Sequence, residues 1–190
     1  MDIKSNEFIE RCTQYLIKAM ENIDSKYFMI QHAGGDFRYL ERIYCYELYH
    51  QYRNELSRHE MNLVLYGEVD KSGHPTIRWR KGQPKPDFIL HDPGSMEGNC
   101  LVIEVKRIDS SIDGMREDLK KLSKFVVNYG YSRGVLIIFG SEENDEGIID
   151  KIRGVRKRWI RNRYSNVMII WHKSAGREIK KYNSWFKKNP

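Results

Sequence analysis

Glu104 and Lys106 lie two residues apart in LVIEVKR at 101–107, where Leu101, Ile103 and Val105 alternate with Val102, Glu104 and Lys106. The alternation predicts a strand with a carboxylate and an ammonium on one face and aliphatic side chains on the other. Asp87, behind Pro86, opens the preceding predicted strand, KPDFIL at 85–90, and its carboxylate can reach the same point. Two converging carboxylates make a hard-oxygen site suited to Mg²⁺, with Mn²⁺ as a substitute, because Mg²⁺ keeps several waters and takes few protein ligands. An ion held there can bind a phosphate and lower the pKa of a bound water, while Lys106 steadies the attacking hydroxide or the charge that develops on phosphorus.

The elements needed to position these groups are legible on either side. Phe8, Cys12, Tyr15, Leu16, Ala19 and Ile23 fall at helical spacing within 5–23, and Leu40, Ile43, Tyr44 and Leu48 within 38–57, with AGGD at 33–36 breaking the pattern between them. Met61–Val69 is strand-like, KSGHP at 71–75 is a turn, and a short strand is expected near Ile77 and Trp79. After the 101–107 strand, Ser110 and Asp113 resemble a capping box. Ile112, Met115, Leu119, Leu122, Val126 and Tyr129 then predict a helix over 111–129. VLIIF between Gly134 and Gly140 is a buried strand, Ile148 to Trp159 a further helix and Val167–Trp171 a last strand. Helices before, between and after apolar strands predict an α/β/α sandwich around a central mixed sheet, a single domain spanning 1–190 with its core at about 38–171.

The sequence resembles the PD-(D/E)xK, or restriction-endonuclease-like, nuclease superfamily: Pro86 and Asp87 match the PD element, and Glu104, Val105 and Lys106 match ExK. The order of elements from about residue 38 to 171 agrees. The resemblance implies a Mg²⁺-dependent endonuclease that hydrolyses phosphodiester bonds in DNA. It further implies a role in DNA processing or defence against foreign DNA; a compact chain fits one component of a larger defence or repair system, and cutting both strands of a duplex, which needs two sites, fits a homodimer. In that superfamily a preceding helix often adds a carboxylate. Here YCYELYHQ at 44–51 places Glu47 on the stripe of Leu40, Ile43, Tyr44 and Gln51, and an inward carboxylate needs a compensating partner. The expected site is therefore Glu47, Asp87, Glu104 and Lys106, with the first three holding metal. The same residues have plainer uses: ExK as a strand-face ion pair, Asp87 as a turn cap, Glu47 as a partner of Arg42 or Lys81.

Charge supports a polyanionic partner. Residues 1–95 carry 13 Lys/Arg against 14 Asp/Glu, and residues 96–190 carry 20 against 12, so the net +7 lies in the second half. Within it, RGVRKRWIRNR at 153–163 offers Arg153, Arg156, Lys157, Arg158, Arg161 and Arg163 to phosphates, around Trp159. KKYNSWFKK at 180–188 interleaves lysines with Tyr182, Trp185 and Phe186, which can stack on bases or pack on the domain. An RNA nuclease needs the same surface and metal site, and a non-catalytic nucleic-acid-binding or assembly module needs only the surface.

Other chemistries lack support. Cys12, Cys45 and Cys100 have no CxxC spacing and are expected to be reduced. His32, His50, His59, His74, His91 and His172 show no HxH or HExxH spacing, and no GxxxxGK[ST], GxGxxG or GxSxG occurs. The longest aliphatic or aromatic run, Val135–Phe139, is far short of the ~20 residues that cross a bilayer. Without a signal-peptide pattern at the N-terminus, the expected location is cytoplasmic.

Overall fold

The computed structural model of the chain describes residues 2–68, 85–94, 97–141, 145–156 and 166–182. Helix α1, Asn6–Glu21, begins at Ser5, whose hydroxyl accepts from the Phe8 amide at 3.2 Å. Such a cap is worth about 1 kcal/mol. A short helix α2, Ser25–Phe28, leads into a two-stranded hairpin, β1 (Ile30–Gln31) and β2 (Phe37–Arg38). Helix α3, Glu41–Arg58, follows, then strands β3 (Val64–Gly67), β4 (Phe88–His91) and β5 (Asn99–Arg107). Helix α4, Ile112–Tyr129, strand β6 (Arg133–Phe139), helix α5 (Asp145–Arg156), and strands β7 (Val167–Ser174) and β8 (Arg177–Tyr182) complete the described chain.

The six strands from β3 to β8 form one sheet in sequence order. β3, β4 and β5 pair antiparallel, β5–β6–β7 pair parallel, and β8 returns antiparallel to β7. The mixed sheet follows from the connections: short returns join the antiparallel pairs β4–β5 and β7–β8, whereas α4 and α5 carry the chain back for parallel neighbours. The α/β class expected from the sequence is the class observed.

The two-residue side-chain period of β5 divides the core. Leu101, Ile103 and Val105 pack with Cys12, Leu16, Tyr44, Leu48 and Tyr52 of α1 and α3. Val102 packs with Met115, Leu119 and Leu122 of α4 and Ile148, Ile152 and Val155 of α5 on the other face. Each large aliphatic side chain buried this way stabilises the fold by about 1.5–3 kcal/mol. β6 contributes to both layers, as a strand covered on both sides must, which explains its unbroken VLIIF run.

Several expectations shift. α4 is capped by Ser111 rather than Ser110; the Ser111 hydroxyl accepts from the Gly114 amide at 3.1 Å, while the Ser110 amide closes a turn onto the Arg107 carbonyl. Gly130 ends that helix at φ 67°, a left-handed conformation suited to glycine. The chain beyond the expected core at about 38–171 turns at Gly176 and adds strand β8 to the sheet. The expected strand near Ile77 and Trp79 and the turn at 71–75 lie outside the described residues. Among the described residues no helix is long and apolar enough to cross a membrane.

Candidate active site

Asp87 lies just before β4, which pairs with β5 so that Phe88 faces Ile103 and Ile89 faces Val102. Ile89 packs in the α4-side layer with Val102, so alternation puts Asp87 on the same sheet face as Glu104 and Lys106. One oxygen anchors it: Oδ2 accepts from the Val105 amide at 2.7 Å. A side chain thus takes a backbone donor at the point where the β4–β5 ladder ends, which holds Asp87 against β5.

Glu104 is only 1% exposed. Its Oε2 accepts from Lys121 Nζ of α4 at 2.8 Å, and its Oε1 is buried and makes no hydrogen bond among the described residues. Lys106 Nζ lies 3.4 Å from Glu41 Oε1 of α3 and 3.4 Å from Asp118 Oδ2 of α4. Asp118 Oδ1 is 3.4 Å from Lys121 Nζ, so one carboxylate stands between two ammonium groups. The contact to Lys106 lacks hydrogen-bond geometry and leaves Asp118 Oδ2 without a hydrogen bond among the described residues. Arg107 turns away, donating to the Tyr39 carbonyl and pairing with Asp109.

Four carboxylates, of Glu41, Asp87, Glu104 and Asp118, therefore surround two ammonium groups, of Lys106 and Lys121. The electrostatics follow. Burial pushes the Asp87 carboxyl up to about 6, against the pull of the Val105 amide and of Lys106. Burial raises Glu104 well above the carboxylate range, and Asp87 and Asp118 add to the shift while Lys121 opposes it. Desolvation works to lower Lys106, but Asp118, Glu41, Asp87 and Glu104 outweigh it and raise its pKa. Cys45, one turn after Glu41 on α3, is raised by burial and then by Asp87 and Glu41, so it stays a thiol.

Comparison of the chain with protein-family models, with curated proteins and with solved structures found no match. The chemistry of the site rests on its own geometry.

Asp87, Glu104 and Lys106 are together on one face. Glu47 takes a different place: it is half-buried, and its Oε1 accepts from Gln51 Nε2 at 2.7 Å, a partner on its own helix. The carboxylate that α3 delivers to Lys106 is Glu41. Six residues span about one and two-thirds turns, so Glu41 and Glu47 leave different sides of the helix. Asp118 and Lys121, which the sequence reading did not select, are the further members. Asp118 follows Met115 by three positions in the stripe that α4 buries, which marks it as an inward carboxylate by the argument first applied to Glu47. Of the basic stretch, Arg153 lies on α5 with its side chain 61% exposed and 3.0 Å from Asp150. Arg156 is the last residue of that helix, and Lys157, Arg158, Arg161 and Arg163 lie outside the described residues, as do Trp159, Trp185 and Phe186.

Whether a divalent cation fits can be tested on these contacts. Among the described residues no group of three or more His, Cys, Asp and Glu side chains is arranged as a metal cage. Mg²⁺ does not need one, since it is commonly held by one or two carboxylates with water and substrate phosphates filling the shell. Among the described residues the buried Oε1 of Glu104, beside Asp87, is a hard oxygen without a hydrogen bond, and the cluster carries two more carboxylates than ammonium groups. An added divalent cation would offset both. The residues fit the ion.

Proposed function

We propose that the chain is a metal-dependent nuclease of the PD-(D/E)xK kind, that its α/β/α arrangement is the restriction-endonuclease-like one, and that it hydrolyses phosphodiester bonds in DNA. The observation that carries this reading is the buried Glu104 Oε1, left without a hydrogen bond among the described residues on the strand face that also presents Asp87 and Lys106. A fully buried carboxylate oxygen is expensive to leave unpaired, and the Lys121 ion pair engages only the other oxygen, Oε2.

Asp87 and Glu104 would hold Mg²⁺ or Mn²⁺, with Glu41 near enough to Lys106 to orient it. The ion, when bound, supplies a low-pKa water and polarises the phosphate oxygens. The chain's own residues do the rest. The Val105 amide fixes the Asp87 carboxylate, so its orientation does not depend on the ligand. Asp118 and Glu41 hold the Lys106 ammonium from two elements, and their charge keeps it protonated. A protonated Lys106 is suited to steady negative charge on the attacking oxygen or the phosphate, and unsuited to take a proton. The parallel β5–α4–β6 arrangement supports this reading, because it places the face bearing Glu104 and Lys106 under α4, which adds Asp118 and Lys121.

Purified chain incubated with plasmid, single-stranded DNA or RNA, each with Mg²⁺, Mn²⁺ or EDTA, tests the proposal. Metal-dependent cutting of DNA, lost in EDTA, is the expected result. Cutting of RNA alone would shift the substrate, and binding without cutting under all these conditions would overturn the enzymatic reading.

A further inference from the structure

Lys121 holds a position that the metal-dependent reading does not explain. Its Nζ is 2.8 Å from Glu104 Oε2, a contact between a carboxylate 1% exposed and an ammonium 22% exposed. No other cation is in hydrogen-bond contact with Glu104 among the described residues, whereas Lys106, the motif lysine, contacts Glu41 and Asp118 instead. Lys121 also has two looser contacts in place, Asp118 Oδ1 at 3.4 Å and the Lys85 carbonyl at 3.4 Å. The ammonium is thus bonded closely to one potential metal ligand and can retreat to two other acceptors, a carboxylate and a backbone carbonyl, without leaving the cluster.

We propose that Lys121 is a built-in counterion that competes with the divalent cation for Glu104. The inference rests on the metal-dependent reading of the site. Without the ion, Lys121 supplies the charged hydrogen bond that the buried Glu104 carboxylate makes among the described residues. With the ion, Lys121 gives up Glu104 Oε2 and keeps Asp118 and the Lys85 carbonyl, two residues before Asp87. Asp118 is then a positioning residue that keeps both lysines within the cluster whichever cation Glu104 holds. The arrangement makes metal affinity lower than two carboxylates alone would give, and it keeps the metal-free fold intact.

The competition makes a prediction that a purely structural lysine does not. Lys121→Met, which keeps the apolar stem and removes the charge, should bind Mn²⁺ and Mg²⁺ about tenfold more tightly by calorimetry, a factor equivalent to 1.4 kcal/mol. In EDTA the same variant should melt below the wild type, and added Mn²⁺ should restore more of its melting temperature than it adds to the wild type. Lys121→Arg, which keeps the charge, should stay within about twofold of the wild-type metal affinity. Lys121→Gln, which retains a donor for Glu104, repeats the calorimetry if the methionine variant does not fold. Equal or weaker metal binding by the neutral variants overturns the competition, and the nuclease reading survives if the wild type binds metal and cuts DNA. A wild type that binds neither Mn²⁺ nor Mg²⁺ overturns both.

Discussion

Glu104 and His172 are both buried on inner strands of the same sheet, 1% and 0% exposed, and each has one polar atom without a hydrogen bond among the described residues. Their surroundings differ in kind. His172 faces the α1–α3 layer, sharing a 2.9 Å hydrogen bond between its Nδ1 and the Tyr44 hydroxyl, with Phe28 and Tyr44 packed edge-on to its ring. Burial lowers its pKa to about 4, so the imidazole is neutral and the pocket holds no net charge. Glu104 faces α4 among Asp87, Asp118, Lys106 and Lys121, where charges outnumber their neutralising partners. The first arrangement is a core that has absorbed one polar residue. The second remains unbalanced after the contacts made among the described residues, which is the property expected of a site completed by a ligand.

The largest test of that contrast removes members of the charged cluster. Asp87→Ala deletes a metal ligand and the anchor on Val105, so metal affinity and cleavage should fall together, the rate by about a thousandfold or more. Lys106→Ala leaves both carboxylates, so metal should still bind by calorimetry while turnover drops about a hundred- to a thousandfold. If Lys106→Ala cuts as fast as the wild type, Glu104 and Lys106 revert to a strand-face ion pair.

A smaller effect comes from pH. The Asp87 carboxyl is raised from its ordinary value to about 6, so the folded, metal-free chain binds a proton there that the unfolded chain has already lost. Its contribution to metal-free stability is therefore present at low pH and lost as pH rises from about 4 through 6. Metal binding requires both the Asp87 and the Glu104 carboxylate, and both are raised, so affinity and cleavage should instead climb through the same window and go on climbing above it. His172 runs opposite to Asp87 in stability: lowered to about 4, it disfavours the fold as pH drops below about 6.5, where the unfolded imidazole takes a proton. Tyr44→Phe isolates that second pocket. It strands the Nδ1 of His172 in the core and should lower stability by about 1–3 kcal/mol in denaturant melts, with metal affinity unchanged. A loss of metal binding in Tyr44→Phe would mean the two regions are not independent.

How much of this was legible in the sequence depends on range. The strict alternation at 101–107 placed Glu104 and Lys106 on one face, because period two is a local property of a strand. The apolar runs and helical stripes gave the α/β class for the same reason. Glu41, Asp118 and Lys121 were not selected, since their role comes from where α3 and α4 cross the sheet rather than from any local pattern. Glu47 shows the limit: its stripe does border buried residues, but helical phase alone does not say which end of the helix meets Lys106, and Gln51 supplied its partner. β8 was hidden because REIKKY is exposed at most positions, as suits an edge strand guarded by lysines.

The smallest effect separates the surface from the site. Arg153 is exposed on α5, which covers the same sheet face as α4, and its guanidinium pairs within its own helix turn with an Asp150 that is itself 73% exposed. Such a pair is worth little to stability, so giving it up for a phosphate costs little. Arg11 makes the matching comparison: it is 41% exposed on α1, on the opposite face, and likewise pairs within its own helix, with Glu7 at 3.3 Å. If nucleic acid approaches from the α4–α5 side, Arg153→Ala should weaken DNA binding two- to fivefold or so for all sequences alike, a loss of roughly 1 kcal/mol or less. The slope of log affinity against log salt should fall by roughly 0.9, the value for one phosphate contact on duplex DNA. The maximal cleavage rate should change far less than the affinity. Arg11→Ala should alter neither the affinity nor the slope. Equal losses in the two variants would mean that diffuse positive charge, rather than the face carrying Glu104 and Lys106, attracts the nucleic acid.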